Sequence, residues 1–194
     1  MMMVPALNPA ILSTLISPPK VSGLTFSRVT EASLAPAFAI EEASYPADEA
    51  ATEEKLAMRI REAPDFFHGA FPEDSTLVGF ICGTLTTSEV LTDESMSEHE
   101  PAGKTLCIHS VAVEESLRRK GIALWMLKSY LQKVAELKTV ERVLLICKEQ
   151  LVCLYEAAGF NNLGPSDVVH GQDPWILMGC SLPPSESAGK KLPY

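Results

Sequence analysis

Residues 105–132, TLCIHSVAVEESLRRKGIALWMLKSYLQ, decide the fold. The run TLCIHSVAV is almost continuously apolar, as expected of a strand buried on both faces in the middle of a sheet. A charged turn follows, and from Ile122 the apolar residues Leu124, Leu127, Leu131 and Val134 recur at helical spacing on one face. Arg118, Arg119 and Lys120 stand immediately before Gly121, where the positive end of a helix dipole disfavours cations unless an anion sits among them. Arg118-x-x-Gly121-x-Ala123 suits a phosphate: Gly121 permits close approach to the backbone, Ala123 lets the helix pack tightly, and the cations add countercharge. Neither G-x-x-x-x-G-K-[ST] nor G-x-G-x-x-G is present. Taken alone, the turn reads equally well as a solvated loop with ordinary surface cations.

Outward from this core, LTFSRV (24–29) alternates like a strand. Thr30 and Glu31 signal the start of a helix over 31–45 that Pro36 would kink or break. A second helix is expected over 48–63, ending at Pro64, and then FFHGAF and STLVGFICGTLTT as an antiparallel pair joined by PEDS. The acidic stretch 88–103 reads as a long loop. After the central helix come a buried strand ERVLLIC, a short helix EQLVCLYEAAG closed by Gly159, and a last strand DPWILMGCSL. The order β, α, α, β, β, β, α, β, α, β contains a strand-helix-strand crossover, which implies two adjacent parallel strands in a mixed sheet flanked by helices, an α/β (α+β) fold.

The chain has 194 residues, 46% of them hydrophobic, which suits one packed domain rather than two. A net charge of −9 argues against nucleic acid as a partner. Five cysteines without a C-x-x-C pair read as reduced thiols and favour the cytoplasm. No run of about 18 apolar residues exists, so no membrane span is expected, and no cluster suggests a metal. Residues 1–22 read as a disordered leader, 23–182 as the folded domain and 183–194 as a flexible tail.

HSVAVEESLRRKGIA, in this order of elements, resembles the core signature of the GCN5-related N-acetyltransferase (GNAT) superfamily. The segments AIEEASYPADEAATEEKLAMRIREAPDFF, ESMSEHEPAGKTLCIHSVAV and LVCLYEAAGF look like its non-vertebrate arylalkylamine (serotonin) N-acetyltransferase branch, which includes fungal polyamine acetyltransferases. The resemblance implies a mixed sheet whose parallel strands splay near Val111 and Ile146, and acetyl-CoA as co-substrate. Backbone groups of Val111, Ala112 and Val113 would pair with the pantetheine arm. The turn Arg118, Arg119, Lys120, Gly121, with the helix start Ile122, Ala123 and Leu124, would hold the pyrophosphate.

A primary amine with pKa near 10 must lose a proton before attacking a thioester, and the departing thiolate gains from an acid. By the resemblance, His109 is the base, Glu41 an alternative base, and Tyr155 the group facing the CoA sulfur. Cys107 stands where the vertebrate enzyme has another histidine; two residues from His109 on a strand, it is expected on the same side. Without the resemblance, His109 reads as a hydrogen-bonded core histidine and Tyr155 as a packing residue. Tyr45 and Pro46 fall in the family's mobile loop over the amine, Ile146 lines the acetyl and amine site, and Trp175 supplies an aromatic wall or simply packs in the core. Between Glu41 and Glu54 lie six acids and no base (Glu41, Glu42, Asp48, Glu49, Glu53, Glu54), a lure for polyamines or merely a solvated face. Arylalkylamine and polyamine acceptors thus stay open, beside acetylation of protein N-termini or lysines and a catalytically weak acyl-CoA-binding regulator.

Overall fold

The computed structural model of the chain describes residues 4–5, 21–73, 76–92, 94–168, 171 and 174–182. Most of the expected leader and all of the expected tail lie outside these residues. In chain order the elements are β1 (Leu24–Arg28), α1 (Leu34–Glu42), α2 (Glu53–Glu62), β2 (Phe67–Pro72), β3 (Gly79–Thr86), β4 (Thr105–Val113), α3 (Ile122–Leu137), β5 (Arg142–Cys147), α4 (Val152–Ala158), β6 (Asn161–Pro165) and β7 (Ile176–Ser181).

The strands form one sheet in the order β1-β2-β3-β4-β5-β7-β6. β4 is central because its run of apolar side chains needs cover on both faces. On one face, Met126, Leu127, Tyr130, Leu131 and Val134 of α3 and Ala158 of α4 pack on Ile81, Leu106 and Val143. On the other, Ala37 and Ile40 of α1 and Leu56 and Ile60 of α2 pack on Phe67, Phe80, Cys82 and Ala112. The crossover through α3 makes β4 and β5 parallel, but they pair only at Thr105↔Arg142, Leu106↔Val143 and Cys107↔Leu144. Beyond Cys107 the strands part, as expected. β5 stays paired with β7 as far as Cys147↔Ile176, so the opening has a firm wall on that side.

Three expectations need correction. Pro36 does not kink α1: a 3-10 turn over Glu31–Ser33 precedes the helix, and Pro36 falls in its first turn, where an N–H would have no partner anyway. The second helix starts at Glu53 rather than Asp48, capped by Thr52, whose Oγ1 accepts the Lys55 N–H at 3.3 Å. That leaves 43–52 as a loop. Finally, β6 was not expected, because Asn-Asn-Leu-Gly-Pro reads as a turn. It is an edge strand with a register shift between Asn162 and Gly164, where a proline costs no ladder bond. The short helix α4 does close at Gly159, whose φ of +115° only glycine adopts readily.

His68 on β2 stacks on Phe26 at 5.6 Å and meets the edge of Tyr130 at 6.1 Å. Its Nδ1 is buried without a partner among the described residues. Burial, helped by Lys133 and Arg28 and opposed by Asp65, pushes its pKa down to about 4. The folded protein therefore keeps this ring neutral while the unfolded chain protonates it below about pH 6.5, so stability is lost as pH falls from there towards 4. His68→Phe keeps the stacking and removes the titration. In urea unfolding the variant should gain about 2 kcal/mol over wild type at pH 5 beyond any gain at pH 7.5. An equal gap at both pH values would show that His68 does not titrate in this way.

Candidate active site

β3 and β4 slip register where the chemistry-bearing residues lie. Cys82 opposes Ser110 and Gly83 opposes Ile108, so His109 is the extra residue of a bulge. A bulge re-aims its side chains, and here consecutive residues, His109 and Ser110, both line a cleft of about 260 Å³ beneath α1 and α2, beside Glu41 and Arg59. Strict alternation along the strand predicts opposite faces for the two, so Ser110 was invisible to sequence reasoning. Cys107 does share the face of His109, since its cross-strand partner Thr84 bonds the imidazole.

That bond fixes the tautomer. The Thr84 hydroxyl has one proton and donates it to the Ser95 carbonyl at 2.6 Å, so the contact of Thr84 Oγ1 with His109 Nε2 at 2.7 Å must be donated by Nε2–H. Nδ1 then carries the lone pair, and it is buried without a partner among the described residues. Burial, reinforced by the cations of Arg59 and Lys55, holds His109 well below the usual imidazole range, so it is neutral at physiological pH. Glu41, buried at the end of α1, accepts from Ala51 N–H at 2.9 Å and Ser110 Oγ at 3.0 Å through Oε1, while Oε2 has no partner among the described residues. Burial raises its pKa against the opposing pull of those bonds and of Arg59. The site therefore holds two basic atoms whose burial shifts them towards neutral forms.

A second cleft of about 330 Å³ brings together Tyr45, Pro46, His109, Ile146, Tyr155 and Trp175, all six expected at the reaction centre. Tyr155 projects from α4 edge-on to Phe160 at 5.9 Å, and burial, with Cys147 adding, pushes its hydroxyl far above the ordinary phenol range. It keeps its proton. Cys107 lines neither cleft: fully buried, it packs with Leu91 and Leu144, and burial pushes its thiol up to about 11. A protonated core thiol is neither base nor nucleophile, so its place in the site is behind the chemistry rather than in it.

The turn before α3 differs from its expected reading at one residue. Arg118 does not reach towards the helix start; its Nε donates to Val113 O at 2.9 Å and its Nη2 to Ala43 O at 3.2 Å and Ser44 Oγ at 3.1 Å. It is a strut tying the end of β4 to the loop after α1. Lys120 Nζ caps Ser116 O at 3.1 Å. Arg119 and Gly121 both have positive φ, +63° and +80°, and Gly121 is the N-cap of α3. Two left-handed residues so close suit a concave run of backbone N–H groups, next to the N–H groups of Ile122, Ala123 and Leu124 that have no partner within the helix. Among the described residues other than its chain neighbours, nothing lies within 4 Å of where a Gly121 Cβ would stand.

The open edge of β4 is covered by the chain's own side chains. The Tyr45 hydroxyl accepts from Val111 N at 3.0 Å and donates to Val111 O at 3.2 Å, as a neighbouring strand would. Arg118 occupies Val113 O likewise. The six acids do not form one field: Glu41 is buried, Glu49 pairs with Lys148 Nζ at 2.6 Å, and Glu53 and Glu54 sit in the first turn of α2. Thr84 and Arg59 were missed because each reaches the site from an element far off in sequence, Ser110 because the bulge hides its facing, and Lys148, two residues after Ile146, because a charged residue just past a strand reads as solvated surface.

A family model described as the acetyltransferase (GNAT) family matches residues 32–160. Serotonin N-acetyltransferase of Mesocricetus auratus is 37% identical over 119 residues, 61% of this chain and 57% of that protein. The Homo sapiens serotonin N-acetyltransferase is 33% identical over the same share of this chain, and the chain spans 57% of its length as well. Among solved structures, the loading GNATL domain of CurA from Lyngbya majuscula superposes with a TM-score of 0.72 at 15% identity, covering 81% of this chain and 97% of that one. A GphF GNAT-like decarboxylase in complex with isobutyryl-CoA gives 0.71 at 14% identity, covering 82% and 100%. At such identities these structures speak for the fold alone. With a matched region that runs from the first helix through the Tyr155 helix, the chain belongs to the acetyltransferase (GNAT) family.

Proposed function

We propose that this protein transfers acetyl from acetyl-CoA to the primary amine of a small arylalkylamine or polyamine, directly, in a ternary complex. The observation that carries the reading is the imidazole of His109, fixed by Thr84 with a bare Nδ1, in the same cleft as the protonated hydroxyl of Tyr155. The residues present suit acetyl-CoA: the backbone turn at Arg119–Gly121 with open space before it favours a diphosphate, and the strand edge at Val111 favours an extended amide-bearing arm. When bound, that group supplies an acetyl thioester.

His109 Nδ1 takes the proton of the incoming ammonium, directly or through water. Its depressed pKa keeps it unprotonated and ready, at the expense of base strength, and Glu41 offers a second acceptor in the adjoining cleft. Tyr155 donates a hydrogen bond to the sulfur as the C–S bond breaks, and the second proton of the attacking nitrogen passes to that sulfur by way of the hydroxyl, yielding an acetamide and free CoA thiol. Cys107 takes no part, and no acetylated cysteine forms. The test is release of CoA thiol with a panel of tryptamine, serotonin, spermidine and peptide amines. Turnover of small amines supports the reading, whereas turnover confined to peptides would point to a protein acetyltransferase, and none at all to a CoA-binding regulator.

Tyr45 must swing away before anything can pair with Val111. Tyr45→Phe removes both bonds that hold it there, so acetyl-CoA should bind several-fold more tightly, by the worth of one or two net hydrogen bonds. Calorimetric titration measures this. Weaker binding in the variant would mean that Tyr45 helps to hold the arm instead of standing in for it. Among the described residues, no helix is long and apolar enough to cross a membrane.

A further inference from the structure

The cleft that holds His109 and Tyr155 already contains an ammonium. Lys148 follows directly on β5, lines that cleft, and places its Nζ 3.9 Å from the centre of the Trp175 ring and 2.6 Å from Glu49 Oε1. Its side chain and that of Glu49 are only 16% and 5% exposed, so the pair is screened little by solvent. An aromatic face and a carboxylate are the two groups with which a protein binds an alkylammonium. Here both are engaged by the protein's own side chain, and the acids that border the separate hollow at Glu42, Glu53 and Glu54 line a space without His109 or Tyr155.

We propose that Lys148 is a specificity-determining residue: its fixed ammonium selects monoamines with an uncharged aromatic tail and rejects diamines and polyamines. The inference rests on the amine-acetylating reading and narrows it. An acceptor enters this cleft as an ammonium and loses one proton at the reacting nitrogen. A monoamine then presents only neutral groups to Lys148, and an aryl ring can lie along the apolar wall of Ile146 and Leu91. A polyamine keeps a second positive charge that the cleft must accommodate beside Nζ, where it would have to share with Nζ the carboxylate of Glu49 and the face of Trp175, and such crowding of like charges is disfavoured. Rejection by an unfavourable charge is one way to discriminate between ligands that share a reactive end.

The experiment uses the full chain with Lys148→Gln, which keeps a donor for Glu49 but removes the charge, and Lys148→Arg, which keeps the charge. Steady-state kcat/KM is measured for tryptamine and for spermidine, and affinity for spermidine is read in parallel from intrinsic tryptophan fluorescence. Wild type and K148R should prefer tryptamine by tenfold or more. K148Q should shift the ratio of kcat/KM values about tenfold towards spermidine and raise affinity for spermidine about tenfold, whereas K148R should keep the wild-type ratio. A wild-type preference for spermidine, or an unchanged ratio in K148Q, overturns the proposal. If no amine is acetylated, the catalytic reading has failed, and the fluorescence arm still decides this one: tighter spermidine binding by K148Q supports the gate, and equal binding by both proteins removes it.

Discussion

His109→Gln is expected to lower kcat by roughly 10²- to 10³-fold while KM for acetyl-CoA changes less than about threefold. Glutamine can still donate to Thr84 through its amide, so the bulge and the packing beneath α2 have no reason to collapse. What disappears is an acceptor nitrogen able to take a full proton. Thr84→Val tests the same point from behind. It removes the hydroxyl that accepts Nε2–H, leaves that hydrogen buried without a partner, and frees the ring to adopt the other tautomer. kcat should fall about tenfold, and Thr84→Ser should restore it. The pH profile sharpens the assignment: because burial holds His109 well below its ordinary range, its titration should not produce an acid limb near pH 6.5. Should Glu41→Gln cost more than His109→Gln, the base is Glu41 and the histidine only shapes the cleft.

Gly121→Val should raise KM for acetyl-CoA at least tenfold with kcat at saturation within about threefold of wild type. A valine at φ +80° costs about 1–2 kcal/mol of backbone strain, visible as a lowered Tm. The kinetic effect has another source. Since no described residue beyond its chain neighbours comes within 4 Å of that position, the new side chain is expected to obstruct chiefly a ligand approaching the turn. Arg118 gives the contrast. Bonded to Val113, Ala43 and Ser44, it should affect acetyl-CoA through the position of the Tyr45 loop rather than as a countercharge. If Gly121→Val lowered stability without touching KM, the diphosphate would have to bind elsewhere.

Most of the scaffold was legible because its signals are local. β4 announced itself by a run apolar on both faces, α3 by the spacing of Leu127, Leu131 and Val134, and the parallel pair by the crossover between them. The splay and the assembly of Tyr45, Ile146, Tyr155 and Trp175 with His109 followed from resemblance rather than from periodicity. What stayed hidden depends on single residues meeting across the chain. A bulge adds one residue to a strand without changing its composition, so nothing in IHSV warns that His109 and Ser110 face the same way. The proton of Thr84 is directed by Ser95, eleven positions later in a loop whose acidic sequence suggested only solvent. Arg118 looked like a ligand for an anion because its neighbours in sequence are cations; in space its neighbours are carbonyl oxygens. The acids before α2 looked like a field, and burial, pairing and capping divide them among separate tasks.

The splayed strands carry a consequence beyond catalysis. A sheet that opens in its middle exposes unpaired N–H and C=O groups on β4, the kind of edge on which a strand of another molecule can grow. Tyr45 and Arg118 lie over that edge at Val111 and Val113. These side chains are expected to guard that edge against self-association, and variants that strip them should aggregate earlier on warming than their loss of folding stability alone accounts for.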